Sequence, residues 1–258
     1  MKVVLFCGGL GTRLREHSDT IPKALVNIGY RPIIWHLMRY FAHFGHKDFI
    51  LCLGYRGDLI KEYFVNYAEW VSNDFILSNG GRTIEPIRSD IQDWRITFVE
   101  TGLHSTIGER LLRVRGHLEG EEHFLSSYSD ALTDLPLPDY LRACEQRDVI
   151  ASFVTVRTWQ SFHAVYPRED GIVSHIGPVR NSEFWLNGGF FRFRGDIFDY
   201  IKPGEELVEQ PFQRLIEKEQ LYSYKYEGFW AAMDTLKDKI MFDRMNGNGN
   251  TPWQVWAK

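Results

Sequence analysis

The chain has 258 residues, enough for one large domain or one domain with an elaboration, and enough to bury a core without disulfide or metal support. Lys and Arg total 30 against 34 Asp and Glu, a net charge of −4, which argues against a general nucleic-acid binder. Hydrophobic residues make up 44% and charged residues 25%, which excludes a disordered chain, and aromatics reach 15%, above the usual share.

Three cysteines, Cys7, Cys52 and Cys144, show no CxxC spacing and sit in or beside apolar runs. They read as buried free thiols, not as a disulfide framework or a zinc knuckle. The N-terminal apolar run passes straight into glycines and is too short for a signal peptide. No run approaches the 18 apolar residues of a membrane span. The expectation is a cytoplasmic protein with no membrane and no nucleic-acid partner.

In chain order, residues 2–7 are β-branched and apolar, the pattern of a buried parallel strand. Residues 8–22 form a long polar loop. Residues 31–45 read as a helix, with Pro32 in its first turn and Gly45 as a left-handed cap. A strand follows at 48–53 and a helix at 58–67. Residues 73–94 contain Gly80, Gly81 and Pro86 without helical period, which predicts a hairpin-like excursion. Then come a strand at 95–100 and a helix at 106–118, opened by a Thr106/Glu109 capping box. A strand at 123–128, a helix at 137–146 and a strand at 149–156 continue the alternation. Beyond it, 171–175 and 185–193 read as strands, 210–218 as a helix, 221–226 as a strand and 236–245 as a helix. Alternation of this kind predicts right-handed crossovers and a mostly parallel α/β sheet. No linker composition or repeat divides the chain. One domain over 1–258 is expected, with a first part over about 1–150 and an elaboration over about 151–258.

Ligands of such sheets bind at the C-terminal ends of strands. The first strand runs into Gly8-Gly9-Leu10-Gly11-Thr12-Arg13-Leu14, whose glycines let backbone N–H groups approach an anion closely. Arg13 adds a planar charged fork, and Lys23 after Pro22 adds a second positive charge. A Walker loop is excluded, because Thr12-Arg13 stands where Lys-Ser/Thr is required. A dinucleotide fingerprint is excluded because position 14 is leucine. Taken singly, the other candidates also suit plainer roles. Asp130 suits a turn or helix cap, Asp234 a helix cap, Lys23 a solvated surface and Asn187 turn chemistry. The nine histidines form no HExxH or carboxylate-supported cluster. His36, His43 and His46 read as packing or surface residues.

The glycine loop followed by Pro22-Lys23 resembles the signature of sugar-1-phosphate nucleotidyltransferases. Further similarity, to the glucose-1-phosphate cytidylyltransferases in particular, lies in Pro32-Ile33-Ile34-Trp35-His36, Gly54-Tyr55-Arg56-Gly57, Asn187-Gly188-Gly189-Phe190-Phe191, Gly228-Phe229-Trp230 and Met233-Asp234-Thr235-Leu236-Lys237. The resemblance implies a Rossmann-like, mostly parallel mixed sheet flanked by helices, with a smaller sugar-binding elaboration. It implies that Gly8, Gly9, Gly11, Thr12 and Arg13, with Thr101 and Arg110, hold the nucleotide. Arg13 and Lys23 serve the reacting phosphates. Asp130 and Asp234 hold Mg2+. Asn187, Gly188, Arg180 and Trp230 face the sugar. The implied reaction joins a nucleoside triphosphate, CTP in the first instance, to a sugar 1-phosphate. UTP, dTTP and GTP remain as alternatives, as does a homologue with reduced turnover. The implied assembly is a homo-oligomer.

Three departures accompany the resemblance. Ser129-Asp130-Ala131 stands where Gly-Asp-Gly is usual. Ile107 and Glu109 replace the usual Thr and Gly. His175-Ile176-Gly177-Pro178-Val179-Arg180 replaces a Glu-Lys-Pro stretch, with Arg180 as a substitute for the lysine charge, and leaves the acceptor open between glucose 1-phosphate and a related or larger sugar.

Overall fold

Val3–Phe6 (β1) is four bulky apolar residues, none more than 5% exposed, and only a strand covered on both faces buries such a run. In the computed structural model, which describes residues 1–9, 21–157 and 163–257, β1 lies inside a mixed sheet. Asp48–Leu53 (β2) and, beyond it, Arg95–Glu100 (β3) run parallel to β1 on one side. His123–Tyr128 (β4) runs parallel to β1 on the other. The chain therefore winds outward through β2 and β3, then returns to the opposite flank of β1. That reversal opens a crevice at the C-terminal ends of β1 and β4.

Side chains of β1 alternate between two cores. Val3 and Leu5 pack under Ile33–His43 (α1), Gly57–Val65 (α2) and Leu137–Glu145 (α4). Val4 and Phe6 pack under Ile107–Val114 (α3) and Gln210–Glu217 (α5). The last helix, Leu236–Gly247 (α6), joins the first core through Phe242. All three cysteines are buried and free. Burial pushes the Cys7 thiol up to about 12, so it stays neutral.

The two local signals nearest the sheet behave as expected. Gly45 has φ +86, and the N–H groups of Gly45 and His46 return to Ala42 O at 3.0 Å and Phe41 O at 3.0 Å, closing α1 with a Schellman motif. Thr106 and Glu109 form the capping box of α3. Pro32 differs: it stands at the cap of α1, because Arg31–Pro32 pairs with Asn27–Ile28 as a short ladder before the helix starts.

The second half of the sheet is less regular. Ala151–Val156 (β5) pairs with Leu186–Asn187 (β6) and Phe191–Arg194 (β7), both antiparallel, while Leu221–Tyr226 (β8) runs parallel on its other side. β7 also pairs antiparallel with β4, so it lies between the two halves. The sequence predicts one strand over 185–193, and the chain instead breaks at Gly188-Gly189-Phe190. Gly189 and Phe190 have φ +72 and +50, and the β5 pairing slips by two residues across them. The strand expected at 171–175 lies at Val173–Pro178, and its partner His163–Pro167 lacked a sequence signal. The excursion over 73–94 is a hairpin of Phe75–Ser78 with Thr83–Pro86.

The aromatic excess is mostly core. Phe124, Phe191 and Phe193 stack across β4 and β7, with centroids 5.4–5.5 Å apart. Trp253 is 1% exposed and lies against Phe242 and Phe229 in the core. His36 is buried beside it, and burial lowers its pKa to about 4.

Candidate functional site

The crevice between β1 and β4 is lined by Phe6, Cys7, Gly8 and Gly9 on one side and by Tyr128, Ser129 and Asp130 on the other, and it encloses about 280 Å³. Lys23 and Ala24 close one part of it; Ser105, Thr106, Ile107, Arg110 and Glu206 line another.

Lys23 opens the short 3-10 turn Lys23–Leu25, behind Pro22. Its Nζ donates to Asp130 Oδ2 and to Asp234 Oδ1, the latter at 2.6 Å. Residues 107 and 211 positions apart from Lys23 thus meet on one ammonium. Their side chains are 16–24% exposed. Burial works against the charge on Lys23, but the two carboxylates outweigh it and hold its pKa above the ordinary lysine value.

A short ladder brings the two aspartates together. Ala131–Thr133 pairs antiparallel with Trp230–Ala232, and Met233 N donates to Asp130 O at 2.8 Å. The ladder therefore ends with Asp130 and Asp234 side by side. Neither caps a helix: the cap of α6 is Thr235, in a capping box with Asp238. Three-residue strands carry no usable period, so this ladder was not legible in the sequence.

Among the described residues no group of three or more His, Cys, Asp and Glu side chains converges. Magnesium does not require one. It takes one or two carboxylates from protein and completes its shell with phosphate oxygens and water. Asp130 and Asp234 already share one cation, so their oxygens are placed to share another.

Arg110 sits under Gly8. It is 3% exposed and donates from Nη1 to Leu53 O at 3.2 Å and Thr101 Oγ1 at 2.8 Å, and from Nη2 to Gly8 O at 3.1 Å and Leu103 O at 3.3 Å. One guanidinium thus ties the ends of β1, β2 and β3 to α3. A Cβ on Gly8 would come within 2.0 Å of it, which explains the glycine there. Thr101 is fully buried and donates to Leu53 O at 2.7 Å. Of the two residues expected to hold the nucleotide from this segment, Arg110 lies on the cleft wall, whereas Thr101 is fully buried behind it and does not line the cleft. Ser105, Thr106 and Glu206 line the cleft without having been singled out, because their residue types are common in loops. Glu109, which stands where a Gly is usual, acts as the helix cap its spacing predicts: its carboxylate accepts from Thr106 N at 2.9 Å.

Asn187, Gly188 and Trp230 form a second group. Trp230 Nε1 donates to Gly188 O at 2.8 Å, and Asn187 Nδ2 to Tyr128 OH at 3.4 Å. Tyr128 joins this group to the cleft; burial, and then the charge of Glu206, push its phenol up to about 12. Arg180 lies apart, exposed on the turn Val179–Asn181 after the outer hairpin. Gly11, Thr12 and Arg13 fall within 10–20, outside the described residues.

Residues 2–237 match the family model described as nucleotidyl transferase. The chain is 36% identical to a probable glucose-1-phosphate cytidylyltransferase of Bacillus subtilis, over 99% of this chain and 100% of that one. It is 35% identical to the glucose-1-phosphate cytidylyltransferase of Salmonella typhimurium, with the same coverage. Its fold is that of a UDP-glucose pyrophosphorylase solved with UDP-glucose, at TM-score 0.70 and 16% identity, covering 96% of this chain and 98% of that one. Glycine loop, paired aspartates and full-length similarity agree, and the chain belongs to the nucleotidyl transferase family, among its sugar-1-phosphate nucleotidyltransferases.

Proposed function

We propose that this chain transfers a cytidylyl group from CTP to a sugar 1-phosphate, giving a CDP-sugar and pyrophosphate. The observation that carries the reading is the meeting of Lys23 with Asp130 and Asp234 at the crevice between β1 and β4. The choice of CTP rests on the similarity to glucose-1-phosphate cytidylyltransferases over the full length of both chains.

In the reaction a phosphate oxygen of the sugar 1-phosphate attacks the α-phosphorus of the triphosphate. The bond from that phosphorus to the bridging oxygen breaks, and pyrophosphate leaves with the electron pair. The nucleophile is already anionic, so no strong base is needed. The obstacle is mutual repulsion of anions, and catalysis is positioning and charge stabilisation. Gly8 and Gly9 let the triphosphate approach the backbone. Lys23 swings from the aspartates to the reacting phosphates, and Arg13 meets the leaving pyrophosphate. Asp130 and Asp234 would hold Mg2+, which would neutralise phosphate charge. Gly188, Asn187 and Trp230 wall the sugar, with Tyr128 between them and the nucleotide. Thr101 and Arg110 support the nucleotide from beneath Gly8, and Arg180 is assigned to the sugar phosphate on the family resemblance, its turn lying apart from the cleft.

Pyrophosphate release, measured with CTP, UTP, dTTP and GTP against a panel of sugar 1-phosphates, tests the reading. CTP should give the highest kcat/KM, with the CDP-sugar identified by mass. Turnover with another nucleotide and none with CTP would refute the base assignment.

Two further properties belong to the proposal. The chain is read as cytoplasmic, in keeping with three buried free thiols; no helix among the described residues is long and apolar enough to cross a membrane. It is also read as a homo-oligomer. Ile76, Leu77 and Ile87 on the first hairpin and Val173 and Ile176 on the second are all more than 50% exposed. Light scattering should give a mass of two chains or more, and a monomer at micromolar concentration would remove this part.

A further inference from the structure

The cleft built for a triphosphate also contains a carboxylate that pairs with no cation among the described residues. Glu206 is half-buried and lines the same space as Gly8, Gly9 and Lys23. Its Oε1 accepts from Leu207 N at 3.1 Å and its Oε2 from Ile107 N at a long 3.4 Å. Asp130, the other acid of the cleft, is held by Lys23. A carboxylate without a paired cation beside a polyanion is unfavourable unless it meets a part of the ligand that donates hydrogen bonds. In a nucleoside triphosphate those parts are the ribose hydroxyls and the base.

The placement is specific. Glu206 Oε2 is an acceptor, and the Ile107 N–H beside it is a donor whose present bond is long enough to be exchanged. Acceptor beside donor matches cytosine, whose N4 amino group donates and whose N3 accepts. Uracil and thymine present the reverse, an O4 acceptor beside an N3–H donor. A fixed carboxylate facing O4 repels it, so the pair selects by rejecting the wrong base as well as by holding the right one. The Ile107 N–H cannot turn away, because α3 is fixed by its capping box and by Thr106 Oγ1 donating to Glu205 O at 2.7 Å. Gly108 follows, pressed against Glu205 O, which a Cβ would approach to 2.4 Å, so the segments carrying Ile107 and Glu206 are locked together.

We propose that Glu206, with the backbone N–H of Ile107, reads the pyrimidine base and sets the preference for CTP over UTP and dTTP. The proposal rests on the cytidylyltransferase reading above. The test is the ratio of kcat/KM for CTP to that for UTP, in wild type and in Glu206→Gln, with equilibrium titration of each nucleotide in the absence of sugar phosphate. The glutamine amide can present either group to the base. The ratio should fall by about tenfold or more, with CTP weakened and UTP improved, and the titrations should show the same change. A Glu206→Asp variant, which keeps the charge, should retain the sign of the preference. A purely structural role at the start of α3 predicts instead an equal loss for both nucleotides with a lowered melting temperature. That result, or an unchanged ratio, overturns the assignment of Glu206. A wild-type enzyme with no preference for CTP overturns the cytidylyltransferase reading itself, and it does so before any variant is made.

Discussion

Replacing Lys23 by methionine should lower kcat/KM by about 10²–10³, the usual effect of deleting one fixed charge at a reacting oxyanion. The same variant should show a second effect that a surface lysine would not. Lys23 separates two carboxylates placed side by side by the ladder of Ala131–Thr133 with Trp230–Ala232. Without the ammonium, Asp130 and Asp234 face each other unscreened, and like charges that close resist joint ionisation. In EDTA the melting temperature of Lys23→Met should therefore fall below that of wild type. Added Mg2+ should raise it more in the variant than in wild type, because the cation then binds without displacing a resident charge. Scanning calorimetry at matched ionic strength checks this. An unchanged rate and an unchanged melting temperature would return Lys23 to the status of a surface residue.

Asp130→Ala and Asp234→Ala should each abolish metal-dependent turnover, a loss on the order of 10³ or more, while near-ultraviolet circular dichroism stays native. In the proposed mechanism both carboxylates hold one cation, so the double variant should lose little beyond either single one. Additive losses would mean that the two acids act separately. The distinction is measurable because the backbone around them has its own support: Asp130 O accepts from Met233 N, and α6 is capped by Thr235 and Asp238. Removing either side chain leaves that frame in place.

Strands β1, β2 and β4 were legible as short, largely buried apolar runs and the half-buried edge strand β3 as a run of β-branched and aromatic residues, and three of the four spans match the expected bounds residue for residue. Capping chemistry was legible too, since Thr106, Glu109 and Gly45 act within a few residues of themselves. The resemblance named Lys23, Asp130 and Asp234, and the structure brings all three together. What escaped was nonlocal. The ladder that pairs the aspartates joins residues nearly 100 positions apart through three residues a side, too few to carry a period. The break at Gly188-Gly189-Phe190 was hidden inside an apolar run that reads as one strand. Glu206 escaped because one glutamate in a polar loop carries no signal until α3 is packed beside it. Arg110 was named for the nucleotide, but its burial against four acceptors depends on three strand ends meeting, which no local pattern encodes.

The position of β7 bears on how such a chain can be recombined. Residues after 150 do not simply follow the nucleotide-binding half. They send β7 back between β4 and β5, with Arg192 opposite both Leu125 and Ser152. A cut near residue 150 would strip β4 of its neighbour and expose a long apolar edge. Exchanging the sugar-side half with that of a relative should therefore yield aggregates, whereas transplanting only the turn around Val179–Asn181 or the outer hairpin should be tolerated. Acceptor preference in this architecture is expected to diversify by loop replacement on an undivided sheet, not by shuffling of halves.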